Sequence, residues 1–169
     1  MREKFPIPKK SIFLTLTSVV AMTNFNSPVS AASYIQTWNL VDSTKHLDYG
    51  GTSTYMIYFK TGSSTWNSYK NGVIREASGS AGRDVFISDI NIQNGYSGFT
   101  YPDGRLEMNK YYLASATGNR IINTATHELG HALGLDHSTS KDIMAPSQTD
   151  ILSLSKNDKD SYDAAYKYY

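Results

Sequence analysis

A chain of 169 residues with a formal net charge of +1 and no cysteine is the size of one domain plus a short leader. It can bury a core without disulfides. Arg2, Lys4, Lys9 and Lys10 stand against a single acid, Glu3, at the N-terminus, so the remainder is slightly acidic, which excludes the basic stripe of a nucleic-acid binder.

The basic start, the uncharged apolar run over 11–22 and the small residues Val29-Ser30-Ala31 are the three parts of a secretory signal peptide. The run is too short to span the ~30 Å core of a bilayer as a helix, and no second stretch of membrane length follows. Residues 1–31 are therefore expected to be removed, with cleavage after Ala31 or Ala32. That leaves a secreted, extracellular, monomeric domain over 32–169, free of the membrane. The competing reading is an uncleaved anchor or a buried helix.

Residues 32–52 are polar, with Asp42, His46 and Asp48 near Gly50-Gly51; a metal cluster is conceivable there, and a solvated lead-in is the favoured reading. Thr54-Tyr55-Met56-Ile57-Tyr58-Phe59 is aromatic and β-branched and predicts a strand. Ser63-Ser64 then caps a short helix with Trp66, Tyr69 and Val73 on one face, limited by Gly72. Two more strands are expected over 73–77 and 84–92, separated by Ser78-Gly79-Ser80-Ala81-Gly82.

Residues 97–101 and 105–109 predict a hairpin about Pro102-Asp103-Gly104. Its second arm alternates Leu106 and Met108 against Arg105, Glu107 and Asn109. A helix is expected over 119–133, with Ile121, Ile122, Ala125, Leu129 and Ala132 as its core stripe. Ser155 and Asp158 read as a capping box that opens a last helix through Tyr166, followed by a frayed tail. The order strand, helix, four strands, helix, helix describes an α/β domain.

Within the long helix lies His127-Glu128-Leu129-Gly130-His131-Ala132-Leu133-Gly134-Leu135-Asp136-His137. His127 and His131 fall one turn apart on one face. Gly134 permits a left-handed turn that brings His137 back as a third nitrogen. Three neutral imidazoles leave one tetrahedral position of a single Zn²⁺ open for water, the arrangement of a catalytic rather than a structural site. Glu128, beside the first ligand, is placed to act as general base. Requiring Gly134 and His137 at their offsets lowers the chance rate of the bare motif roughly a thousandfold. The chain reads as a zinc hydrolase.

The extended His-Glu-x-x-His-x-x-Gly-x-x-His pattern resembles the metzincin clan of metalloproteases. Asp142-Ile143-Met144-Ala145-Pro146 is similar to that clan's methionine turn, with Met144 beneath the zinc. Ser138, Leu154-Ser155, Asp158 and Tyr166 further resemble the matrixin branch. The likeness is strong over 105–166 and architectural over 50–104. It implies a minimal matrixin-like (M10-type) catalytic domain: a twisted, mostly parallel five-stranded sheet with an antiparallel edge strand, a zinc helix and a C-terminal helix. It also implies a zinc endopeptidase. An extended protein or peptide substrate would lie on the edge strand Gly98, Phe99, Thr100 and Tyr101. Pro146, Ser147 and Gln148 would line the pocket for the side chain after the scissile bond. Calcium is compatible with the resemblance, but no residue pattern specifies it.

The departures also carry meaning. Without cysteine there is no thiol switch for latency, and no room for a sizeable pro-domain is expected. His46 alone lies outside the motif, so the second, structural zinc site of vertebrate matrixins is not expected. Pro146 stands where astacin-like relatives carry a tyrosine that assists the oxyanion, and Gln148 where many matrixins carry a tyrosine. In the expected reaction, zinc held by His127, His131 and His137 acidifies water, and Glu128 relays its proton to the leaving amine. The rivals are a specialised amide hydrolase acting on cell-wall or self peptides, and a secreted zinc-binding protein or toxin-like factor without proteolysis. The intact Glu128 argues against the second, because a structural site would prefer a fourth protein ligand.

Overall fold

Residues 33–79 and 82–169 are described by the computed structural model; the expected signal peptide lies outside them. Five strands form one sheet: β1 (Leu47–Gly51), β2 (Ile74–Glu76), β3 (Val85–Ile90), β4 (Gly98–Thr100) and β5 (Arg105–Asn109). Their order is β2-β1-β3-β5-β4. β1 pairs in parallel with β2 and β3, β3 pairs in parallel with β5, and β4 closes one edge antiparallel to β5. The helices are α1 (Met56–Asn67), α2 (Lys110–Leu113), α3 (Gly118–Ala132) and α4 (Lys156–Ala165), the last followed by a 3-10 turn, Tyr166–Tyr168. The mostly parallel five-stranded sheet with an antiparallel edge and two long C-terminal helices is the fold class expected.

The first strand and first helix occupy other residues than expected. The stretch 54–59 is not a strand, because Phe59, Gly62, Ser63 and Trp66 are the buried residues of α1 and recur at helical spacing. Tertiary contact decides the matter. Gly62 brings α1 so close to α3 that a Cβ there would sit 3.1 Å from the Thr126 Cα. Trp66 Nε1 donates to the Thr126 carbonyl at 2.8 Å. Part of the supposed solvated lead-in is β1, whose Leu47 and Tyr49 are buried between β2 and β3.

The core lies where the sheet's Leu47, Val85, Ile87, Leu106 and Met108 meet Phe59 and Trp66 of α1 and Ala125, Leu129 and Ala132 of α3. Each fully buried Leu or Ile stabilises the fold by roughly 1.5–3 kcal/mol. α3 is thereby pressed against the sheet on one side, and its opposite face carries the histidines. The tail is not frayed: the Tyr169 hydroxyl donates to the Leu133 carbonyl at the end of α3.

Candidate active site

α3 starts on Thr117, whose hydroxyl accepts from the Arg120 amide at 3.3 Å. It stops at Gly134, which has φ +87°, a conformation that costs other residues energy. The Leu135 amide returns to the Gly130 carbonyl at 3.0 Å. The segment before β1 locks this turn, with Gln36 donating to the Gly134 carbonyl and Asp136 to the Tyr34 carbonyl. Asp136 Oδ1 accepts from the His137 amide at 2.8 Å. The turn therefore delivers His137 to the two helical histidines.

His137 Nε2 lies 3.2 Å from His127 Nε2 and 3.2 Å from His131 Nε2. The Nδ1 atoms of the helical pair point the other way, at backbone carbonyls: His127 at Ile143 (2.9 Å) and His131 at Leu135 (2.8 Å). A carbonyl only accepts, so each Nδ1 carries the proton and each Nε2 presents a lone pair. Burial, with neighbouring imidazoles adding to it, pushes His127 down to about 3 and His131 down to about 4, so both rings are neutral at neutral pH. Nitrogens bonded at about 2.05 Å to a tetrahedral zinc lie about 3.3 Å apart. The two 3.2 Å spacings and the lone pairs fit that ion.

Glu128 is buried at 4 % exposure. Thr100 Oγ1 lies 2.7 Å from Glu128 Oε2 and donates to it. Burial pushes the carboxyl up to about 7, against the opposing effect of that hydrogen bond. β4 crosses directly above: a Cβ on Gly98 would fall 2.8 Å from Glu128 Cγ and Oε1. Ser97 accepts from Asn109, and Tyr101 donates to Arg105. Antiparallel alternation therefore turns the amides and carbonyls of Gly98 and Thr100 to the open edge.

Of the expected substrate-binding residues, Gly98, Phe99, Thr100, Pro146, Ser147 and Gln148 border one cleft of about 620 Å³ with the histidines and Glu128. The Thr100 side chain, however, is spent on Glu128, which leaves its backbone for a substrate. Tyr101 is turned away, because its hydroxyl donates to Glu107 Oε2 at 3.0 Å and the Arg105 guanidinium covers its ring at 4.0 Å.

Met144 is buried beneath α3. A Cβ on Gly130 would meet its Sδ at 2.3 Å, so Gly130 is what lets the thioether reach the helix between His127 and His131. Its turn is held from α4: Asp158 Oδ2 accepts from the Ile143 amide at 3.0 Å and Oδ1 from the Met144 amide at 3.2 Å. Asp142 fixes the same turn. Burial opposes its charge, but hydrogen bonds from Asn157, Ser155 and Thr139 outweigh burial and hold its carboxyl below the usual range.

Sequence reasoning missed Gln36, whose carboxamide lies 2.9 Å from His131 Nδ1, along with Trp38, Asn123 and Thr124, all bordering the cleft. Asn123 and Thr124 each precede a motif residue by four, a helical spacing that could have revealed them. Gln36 and Trp38 carry no such signal. Away from the cleft, the carboxylates of Asp42 and Asp48 lie close to that of Asp84, and His46 meets Asp42 through its backbone amide at 2.9 Å rather than through its ring. Asp48 there is held by Arg75 at 2.8 and 2.7 Å.

The family model Matrixin (Peptidase M10) matches residues 36–167. Among solved structures, the chain is similar to archaemetzincin from Methanopyrus kandleri, with a TM-score of 0.55 and 12% identity over 75% of this chain and 99% of that one. It is also similar to a chain of the ECX AB5 holotoxin in its GM1-bound form, with a TM-score of 0.55 and 15% identity over 79% of this chain and 86% of that one. At those identities the structural likenesses bear on fold alone. No curated protein matches.

Proposed function

Because the chain belongs to the matrixin family of metzincin zinc peptidases, we propose that it is a secreted endopeptidase with Glu128 as its general base. The observation that carries this reading is the buried Glu128 carboxylate, held by Thr100 beside three converging imidazoles and directly under an open strand edge. His127, His131 and His137 would hold the zinc. When bound, the ion supplies Lewis acidity, activating water and polarising the scissile carbonyl.

This chain's own groups do the rest. The outward amides and carbonyls of Gly98 and Thr100 pair with an extended peptide as an added strand. Since Gly98 lies over Glu128, such a peptide runs past the carboxylate in both directions, which suits an internal bond. Glu128, with its carboxyl near 7, can take a proton from the attacking water and return it to the leaving amine near neutral pH. The Thr100 hydroxyl keeps the carboxylate aimed during both transfers. The signal-like start of the chain supports export, and the substrate is a protein or peptide.

The deciding experiment compares the zinc-loaded protein with its Glu128→Gln variant on an unfolded protein substrate. Cleavage should fall by at least about a hundredfold with zinc content unchanged. Equal rates would remove Glu128 from the base role. Export is checked by N-terminal sequencing of protein from the medium, which should begin at Ala32 or Ser33; a product retaining Met1 would contradict it.

A further inference from the structure

From His127 and Glu128 the cleft continues one turn back along α3, about 6 Å, to Asn123 and Thr124. Both border it and are buried at 2 % and 5 % exposure. The opposite wall is the segment 145–148. Gln148 Nε2 donates to Thr124 Oγ1 at 3.1 Å, so a hydrogen bond ties one wall to the other. The Thr124 hydroxyl proton goes to the Arg120 carbonyl at 2.9 Å, which is why Thr124 accepts from Gln148 rather than donates.

Asn123 fixes the chain just beyond. Its Nδ2 donates to the Ile151 carbonyl at 2.8 Å, and its Oδ1 accepts from the Thr149 amide at 3.2 Å. The wall is thus anchored, and its polar groups are paired with one another. Gln148 and Ser147 border the cleft, and among the described residues no hydrogen bond occupies the Gln148 carboxamide oxygen or the Ser147 hydroxyl.

An aliphatic or aromatic side chain entering here would part Gln148 from Thr124 and offer neither of them a new hydrogen-bond partner. A charged one would lose water against the uncharged groups of Asn123, Thr124 and 145–148. A short side chain bearing a hydroxyl or carboxamide keeps every group paired. We infer that this pocket selects an uncharged hydrogen-bonding residue, Ser, Thr, Asn or Gln, beside the scissile bond, and that Gln148 sets the selection. The inference rests on the peptidase reading above.

The test is cleavage of a peptide mixture randomised on both sides of the cut, with sites read by mass spectrometry. It uses the zinc-loaded protein and its Gln148→Leu and Thr124→Val variants. At one flanking position the wild type should favour Ser, Thr, Asn and Gln over Leu and Phe by about tenfold or more. Gln148→Leu should shift that ratio about tenfold toward Leu while other positions stay unchanged. Thr124→Val, which removes the acceptor from the other wall, should weaken the same preference and decides alone if Gln148→Leu fails to fold. Wild-type preference for Leu or Phe at both flanking positions overturns the inference, as does a preference untouched by the variants that fold. If the wild type cleaves no peptide, the peptidase reading itself fails and the inference falls with it.

Discussion

A methyl group on Gly98 would lie 2.8 Å from Cγ and Oε1 of Glu128, closer than carbon and oxygen tolerate. Either the edge strand or the carboxylate must move. A displacement of about 1 Å at a reacting group costs on the order of a hundredfold in rate. Gly98→Ala is therefore expected to lower kcat by ten- to a hundredfold while zinc content stays full, because the three atoms nearest the added methyl all belong to Glu128. Steady-state kinetics beside metal analysis checks this, and loss of zinc together with activity would move the effect to the ligands. Glu128 and the three histidines were legible because their spacing is local to one helix and its turn. Gly98, Gly130 and Gln36 act on partners remote in sequence: the Glu128 carboxyl, the Met144 sulfur and the His131 ring. Nothing in their neighbourhoods announces those contacts.

Between elements, Asp158 does two tasks. It closes the capping box of α4 with Ser155, and it accepts from the buried amides of Ile143 and Met144. The box was readable as a local pattern. Its hold on the methionine turn was not, since that depends on where α4 docks. Asp158→Ala loses the N3 half of the capping box, a hydrogen bond from the Ser155 amide worth about 1 kcal/mol, and leaves two buried amides unpaired at about 1–3 kcal/mol each. Urea unfolding should show a loss of about 3–7 kcal/mol, and a loss below about 1 kcal/mol would mean that the turn is secured without Asp158. The misread stretch 54–59 makes the complementary point. Its aromatic and β-branched residues favour a strand, but the period of Phe59, Gly62, Ser63 and Trp66 belongs to a helix packed on α3. Only the packing partner decides between the two readings. The hairpin at 97–109 needed no such partner, because its turn residues and alternation are both local.

For the molecule as a whole, assembling the site fixes the sign of the pH dependence when metal is removed. His127 and His131 have native values of about 3 and about 4 against 6.5 when exposed, chiefly through burial. Above 6.5 neither state holds these protons. As pH falls below 6.5 the unfolded chain takes them up and the native state refuses them, so stability drops. Glu128 has the opposite sign: its native carboxyl, at about 7 against 4.5 when exposed, keeps a proton that the unfolded chain has lost. Its contribution grows as pH falls from 7 to 4.5. Between 4.5 and 6.5 two imidazoles oppose one carboxyl. The unfolded chain then binds one more proton from this site, and stability should decline by about 1.4 kcal/mol per pH unit of acidification. Removing the carboxyl with Glu128→Gln should steepen the decline to about twice that slope. Urea midpoints of the chelator-treated protein across this window, wild type beside variant, measure both slopes. A variant no steeper than the wild type would show that Glu128 stays ionised in the metal-free fold, and that its buried charge is met by a partner other than the Thr100 hydroxyl.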